Sequence, residues 1–139
     1  MLVDANIPSF SDDKEAAVIS ARYTPLAEDL VKEKPGLGRN LLRQDQAYPV
    51  TARYMRHVHV PLNLPVIDIT AEHTWVDAPD ELTAMRRAHS EFVAASPNRE
   101  AIFAKESGHY VFKDQRNLVT DAILRMISKT REPHSTSKR

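Results

Sequence analysis

The residue types best suited to acid–base chemistry stand in three short segments of the sequence. Ser107-Gly108-His109 places an imidazole directly after a glycine, which permits a tight turn. Histidine exchanges a proton near neutral pH and therefore serves as a general base or a general acid. Asp4 and Glu72 each stand at the end of a run of β-forming residues. Proton transfer by His109 is the chemistry that this pattern favours.

These side chains must be positioned by the elements before them, and three short runs predict β-strands. The runs end at Asp4, Thr70 and Ala104, and loops are predicted to begin at Asp4, Ala71 and Lys105. Strands that alternate with helices indicate a parallel sheet with right-handed crossovers. In such sheets functional residues collect on the loops beyond the carboxyl ends of the strands.

Apolar residues at helical spacing predict helices over residues 12–34, 79–95 and 114–129, with Pro25 as a break or kink in the first. Residues 39–58 lack a clean period and predict short helices instead. Arg86-Arg87 with His89 predict the solvated face of the middle helix.

The run Glu106 to Gln115, with Gly108-His109 at its centre and an amphipathic helix after it, resembles the final loop of the α/β-hydrolase family. In that family a glycine-histidine pair follows the last strand and supplies the base of a catalytic triad. Leu64 to Thr70 resemble the family's penultimate strand, and Leu2 to Pro8 are similar to the strand after the nucleophile helix. Arg116 departs from the pattern, because a proline is common there.

The resemblance extends over residues 60–128 and, less closely, over residues 1–10, but it is absent over residues 36–58. It implies an α/β fold that is a partial α/β-hydrolase-like domain, with about three parallel strands, crossover helices and a helical cap-like insert. The domain would span residues 1–131, with the insert at residues 11–60. Residues 132–139 are polar and predict a disordered tail.

The resemblance also implies roles for the candidate residues. His109 would be the triad base, Asp4 or Glu72 the acid that orients it, and Asp77 a weaker third choice for the acid. The family's serine stands on a Gly-x-Ser-x-Gly turn before the strand that Leu2 to Pro8 resemble, and the 139 residues contain no such motif. We therefore expect the chain to be inactive alone. Hydrolysis of an ester-like or amide substrate is expected only with a complementary N-terminal half.

Composition excludes several other classes of function. The 19 basic and 19 acidic side chains balance, which argues against nucleic acid or an anionic membrane as a partner. The absence of cysteine excludes thiolate sites, and three glycines are too few for phosphate-cradling loops, so no cofactor is expected. His57 and His59, with His73 as a third candidate, form only a weak metal motif, and no metal site is predicted. No signal peptide is recognisable, so the expected location is the cytoplasm.

A second hypothesis belongs to a different class of function. If the first strand has no neighbour on its outer side, its edge is a template for pairing with another chain. The chain would then be a non-catalytic interaction or oligomerisation module, as a homo-oligomer or docked on a complementary half.

Overall fold

A parallel three-stranded sheet organises the part of the chain that carries the predicted site. The computed structural model describes residues 1–76 and 78–131. Strands β1 (Leu2–Val3), β2 (Val66–His73) and β3 (Arg99–Gly108) lie in the order β1-β2-β3. Leu2 pairs with Asp68 and Val66 with Arg99, and both strand pairs are parallel. The structure confirms the predicted α/β class with a parallel sheet; Asp77 and the predicted tail at 132–139 lie outside the described residues.

The central strand β2 is buried on both faces over residues 66–69, as is usual for a strand inside a parallel sheet. Ile67, Ile69 and Ala71 are almost fully buried on one face. They form a core with Ala104, Val111 and Ala122, against which Leu118, Val119 and Met126 pack. Successive side chains of a strand point to opposite faces, so Asp68 and Thr70 belong to the other face.

Three helices accompany the sheet. Helix α3 (Pro79–Ala94) connects β2 to β3 and begins with proline at its first position, where a missing N–H costs nothing. The short helix α4 (Val111–Asp114) and the last helix α5 (Arg116–Arg131) follow β3. Helix α5 supplies the apolar stripe that covers the core face of the sheet.

The chain divides into two units, each described by itself: residues 1–7 with the described residues from Val60 onward, and Pro8–His59. The second unit is a helical hairpin. A 3-10 turn (Pro8–Phe10) precedes α1 (Asp13–Glu33), and α2 (Pro35–Met55) follows with Lys34 alone between the helices. Asp12 caps α1 by accepting a hydrogen bond from the N–H of Glu15 at 2.7 Å.

Contacts along the hairpin hold its helices antiparallel. The hydroxyl of Ser20 donates to the carbonyl of Asp45 at 2.6 Å, and Arg53 and Arg56 pair with Asp13. The prediction of short helices over 39–58 is wrong, because α2 is continuous from Pro35 to Met55. Packing against α1 stabilises a helix whose own pattern is weak. Pro25 lies inside α1 without ending it.

Both long strands extend beyond their predicted ends. Strand β2 continues to His73 and β3 to Gly108, although loops were expected from Ala71 and Lys105. Backbone pairing between the two strands overrides the polar character of these positions. Among the described helices, none combines the length and apolarity that a bilayer crossing requires.

Candidate functional site

Asp4 lies directly after β1, in a backbone conformation that few residues adopt. Its φ is 42°, in the left-handed region that aspartate tolerates better than most side chains. Its N–H donates to the carbonyl of Ile69 at 2.6 Å, so the residue is still tied to β2. The chain turns at this point, and the carboxylate lies across the carboxyl ends of the strands.

Three donors satisfy the Asp4 carboxylate, whose side chain is 1% exposed. Oδ1 accepts the N–H of Ala71 at 3.0 Å, and Oδ2 accepts the hydroxyl of Thr74 at 2.7 Å. The ring nitrogen Nδ1 of His109 lies 2.8 Å from the same Oδ2. A buried carboxylate requires partners of this kind, and here they also fix its orientation.

His109 contacts Asp4 through Nδ1, and its other ring nitrogen, Nε2, can contact a reaction partner. Because Nδ1 contacts a carboxylate oxygen, Nδ1 carries the proton of the neutral ring and Nε2 becomes the acceptor. The side chain is 40% exposed, in contrast to the buried carboxylate. A partly exposed imidazole on a buried, fully bonded carboxylate is the arrangement of a general base and its orienting acid.

A bulge in β3 places His109 at this position. Ala71 pairs with Ala104 and His73 with Gly108, so β3 advances four residues where β2 advances two. Glu106 lies within the bulge with a left-handed φ of 60°. Bulges bend a strand and redirect the side chains after them, and they are frequent beside functional sites.

Side chains hold the bulge and the turn after it. Oε2 of Glu72 accepts the N–H of Glu106 at 2.6 Å. Oδ2 of Asp114 accepts the N–H of Gly108 at 2.8 Å, and the amide of Gln115 donates to the carbonyl of Lys105 at 2.7 Å. His109 therefore stands on a segment that is fixed on both sides.

The structure brings Asp4 and His109 together and places the other candidates elsewhere. Glu72 lies on β2 and not on a loop, and its carboxylate bonds to the backbone of Glu106. Ser107 is fully buried, and its hydroxyl donates to the carbonyl of Gly108. Asp77 lies outside the described residues. Thr74, which the sequence pattern did not single out, shares the carboxylate with His109.

Exposed aromatic side chains border the histidine. The ring of Tyr110 lies 5.2 Å from that of His109, and Phe112 contacts Tyr110 edge-on at 5.9 Å. Both are more than half exposed. Lys113 lies over the ring of Tyr110 at 4.6 Å, which adds one cation to an otherwise apolar border.

The prediction that His89 lies on a solvated helix face is wrong. His89 is buried against the sheet, and its Nδ1 lies 2.7 Å from Oδ2 of Asp68. Asp68 was the one charged residue in the apolar run predicted to end at Thr70, and that exception was the signal in the sequence. Within residues 1–76 and 78–131, no three His, Cys, Asp or Glu side chains are grouped to hold a metal ion.

Comparison with protein-family models, curated protein sequences and solved structures finds no match for this chain. The relationship to α/β hydrolases therefore rests on the resemblance in sequence alone and stays a prediction.

Proposed function

We propose that this chain supplies the acid and the base of a serine-type hydrolase site, and that the serine comes from outside the 139 residues. The observation that carries this proposal is the 2.8 Å contact between Nδ1 of His109 and Oδ2 of Asp4. The pair lies at the carboxyl ends of parallel strands, where α/β enzymes place their active sites. The substrate class is an ester or amide.

Each residue has a defined task in such a site. Nε2 of His109 accepts the proton of an attacking serine hydroxyl and later returns it to the leaving group. Asp4 fixes the tautomer and stabilises the imidazolium that forms, while Ala71 and Thr74 hold Asp4 in place. Tyr110 and Phe112 offer an apolar surface beside the histidine for the acyl part of a substrate.

The nucleophile is the missing part. The sequence has no Gly-x-Ser-x-Gly turn, and Ser107 is buried with its hydroxyl bonded to the neighbouring carbonyl. Loss of the nucleophile costs about as much as loss of a whole triad, roughly 10⁶-fold in kcat. Residues 1–139 alone are therefore expected to give no turnover above that of buffer.

The test compares p-nitrophenyl acetate hydrolysis by residues 1–139 with hydrolysis by the chain extended through any in-frame segment encoded upstream of Met1. We expect turnover from the extended chain only, and His109→Ala or Asp4→Asn should reduce it by roughly 10⁴-fold or more. Glu91→Gln is the matched control, because Glu91 is exposed on α3, where it pairs with Arg87. Turnover that survives His109→Ala, or an upstream region without a serine turn, would contradict the proposal.

A second function is favoured by the free edge of β1. Among the described strands, β1 pairs with β2 alone. The N–H of Asp4 points toward β2, and successive N–H groups of a strand point in opposite directions, so the N–H of Val3 points away from β2. A partner strand can add there. We expect Val3→Pro to abolish any dimer seen by size-exclusion chromatography with light scattering, while β1 stays paired with β2. A monomeric wild-type chain would contradict this second function.

A further inference from the structure

A second histidine–carboxylate pair lies within the molecule, and the proposed hydrolase site does not use it. Asp68 on β2 and His89 on α3 lie 2.7 Å apart, with side chains 1% and 5% exposed. Oδ1 of Asp68 and Nε2 of His89 are buried and find no hydrogen-bond partner among the described residues. Buried polar atoms are rarely left in this condition, so each such atom calls for an explanation.

The same two residues line a cavity of about 470 Å³ between β2, β3 and α3. Its other walls are largely apolar and include Val93, Ala94, Ala101 and Phe103. Phe103 is 53% exposed at the edge of the cavity, which leaves a way in from solvent. Volumes of this size and apolar walls with a few polar groups are typical of sites for small molecules.

This cavity is distinct from the Asp4–His109 site. Ile67 and Ile69 face the core that α5 covers, so Asp68 between them faces the opposite side of the sheet. The Asp4–His109 pair lies beyond the strand ends instead. The inference therefore stands independently of the proposed hydrolase function.

The pair itself selects the chemistry of a ligand. With the Nδ1 proton of His89 directed at Oδ2 of Asp68, both Nε2 and Oδ1 are acceptors that need a donor. Each atom has almost no accessible surface, but its residue lines the cavity, so a donor has to approach it from the cavity side. An anionic ligand would be repelled by the Asp68 carboxylate and has no proton to donate to it. A hydroxyl group is neutral and donates its proton in a hydrogen bond.

We propose that this cavity binds a small neutral molecule with an apolar body and a hydroxyl group that donates to the Asp68–His89 pair. Thr70 and Ser90 also line the cavity and carry hydroxyls that can serve such a group as further partners. Arg86 lies at the wall as well, and its guanidinium donates a long hydrogen bond, 3.4 Å, to the carbonyl of Glu72. Because Arg86 is positively charged, it favours a carboxylate ligand instead, and the test must distinguish such a ligand from a neutral alcohol.

The test titrates the full chain with three matched probes, benzyl alcohol, toluene and benzoate, and follows His89 and Phe103 by NMR. We expect saturable shifts with benzyl alcohol at millimolar concentration and binding at least fivefold weaker for toluene and for benzoate. Stronger binding of benzoate would overturn the proposal in favour of an anion site at Arg86. Equal binding of toluene, or no saturable shift with benzyl alcohol, would overturn it as well.

A cavity-filling variant separates binding from folding. Ala101 lines the cavity and is exposed, so Ala101→Leu occupies the space without crowding the core. It should abolish the benzyl alcohol shifts while the remaining NMR spectrum is retained. Ala95→Leu is the matched control, since Ala95 is exposed at the end of α3 and does not line the cavity. Undiminished binding by Ala101→Leu would overturn the proposal.

Discussion

Asp4 performs two tasks that substitutions can separate. Its backbone adopts a φ of 42°, and its carboxylate joins Ala71, Thr74 and His109. Asparagine tolerates the left-handed backbone at least as well as aspartate and keeps one carbonyl oxygen as an acceptor. Alanine keeps neither advantage.

We expect Asp4→Ala to lower the free energy of unfolding by about 2–4 kcal/mol. Part of the loss is the buried N–H of Ala71 left without an acceptor, and part is the left-handed conformation imposed on alanine. Asp4→Asn should lose less than about 2 kcal/mol, because its oxygen still accepts from Ala71. Urea denaturation of both variants measures the difference. Equal losses of unfolding free energy would contradict the expected contributions of the left-handed backbone and of the oxygen that accepts from Ala71.

The tautomer of His109 should respond to the Asp4→Asn substitution. If the side-chain oxygen of the introduced asparagine accepts from Ala71, its NH₂ group faces His109 and donates to Nδ1. The neutral ring then carries its proton on Nε2, opposite to the wild type. Nitrogen-15 NMR of the imidazole distinguishes the two tautomers directly. A wild-type ring protonated on Nε2 would contradict the orientation that the proposed general base needs.

At the scale of elements, the turn of the helical hairpin depends on a close approach at Gly38. A Cβ added there would overlap the backbone of Val31 and lie 2.6 Å from the carbonyl carbon of Leu30. Gly36, two residues earlier in α2, has no atom within 4 Å of the same position. The two glycines therefore form a matched pair in one helix.

We expect Gly38→Ala to destabilise the hairpin by about 3 kcal/mol, because backbone atoms cannot move aside as a flexible side chain does. Gly36→Ala should be neutral or stabilising by up to about 1 kcal/mol, since alanine favours helix over glycine. Thermal unfolding followed by circular dichroism measures both. Similar effects of the two substitutions would contradict the close packing of α1 and α2 at this turn.

The order of strands and helices was sufficient to predict part of the candidate site. Asp4 and His109 follow strand ends, and the carboxyl ends of parallel strands share one edge, so their proximity was predictable. The choice between Asp4 and Glu72 was not. It depends on the left-handed turn at Asp4 and on the bulge in β3, which Glu72 holds. Neither feature is encoded in hydrophobic periodicity.

His89 illustrates the same limit from the other direction. Its neighbours Arg86 and Arg87 are exposed, but His89 lies four residues after Met85 and therefore on the apolar side of the helix. Its burial follows from Asp68, which lies 21 residues earlier on a strand that α3 covers. Only the tertiary structure joins the two residues, although a charged residue in an apolar strand indicates that a partner exists.

At the scale of the whole molecule, ionisable pairs make stability depend on pH. Glu100 on β3 contacts Arg125 and Lys129 of α5, and the Arg125 guanidinium holds the pKa of Glu100 below its ordinary value. A carboxyl whose pKa is lowered by folding stabilises the fold above its ordinary pKa. That contribution is lost as the pH falls through the lowered value.

We expect Glu100→Gln to cost about 0.5–1 kcal/mol at pH 7, a modest amount because the pair is partly exposed to solvent. The difference from the wild type should vanish near the acid limit, below the lowered pKa of Glu100. Denaturation between pH 3 and pH 7 measures it. Glu106→Gln on the same strand is the control and should show a smaller difference. A difference that grows toward low pH would contradict the assignment.

The contact between Asp4 and His109 joins residues 105 positions apart in the chain, so its two partners are synthesised at different times. A ribosome adds about 5–20 residues per second, so His109 is synthesised roughly 5–20 s after Asp4. The helical hairpin is a compact unit over Pro8–His59 and can form during that interval. The carboxylate is made before the helical hairpin, yet it acquires its histidine only when the final strand has joined the sheet.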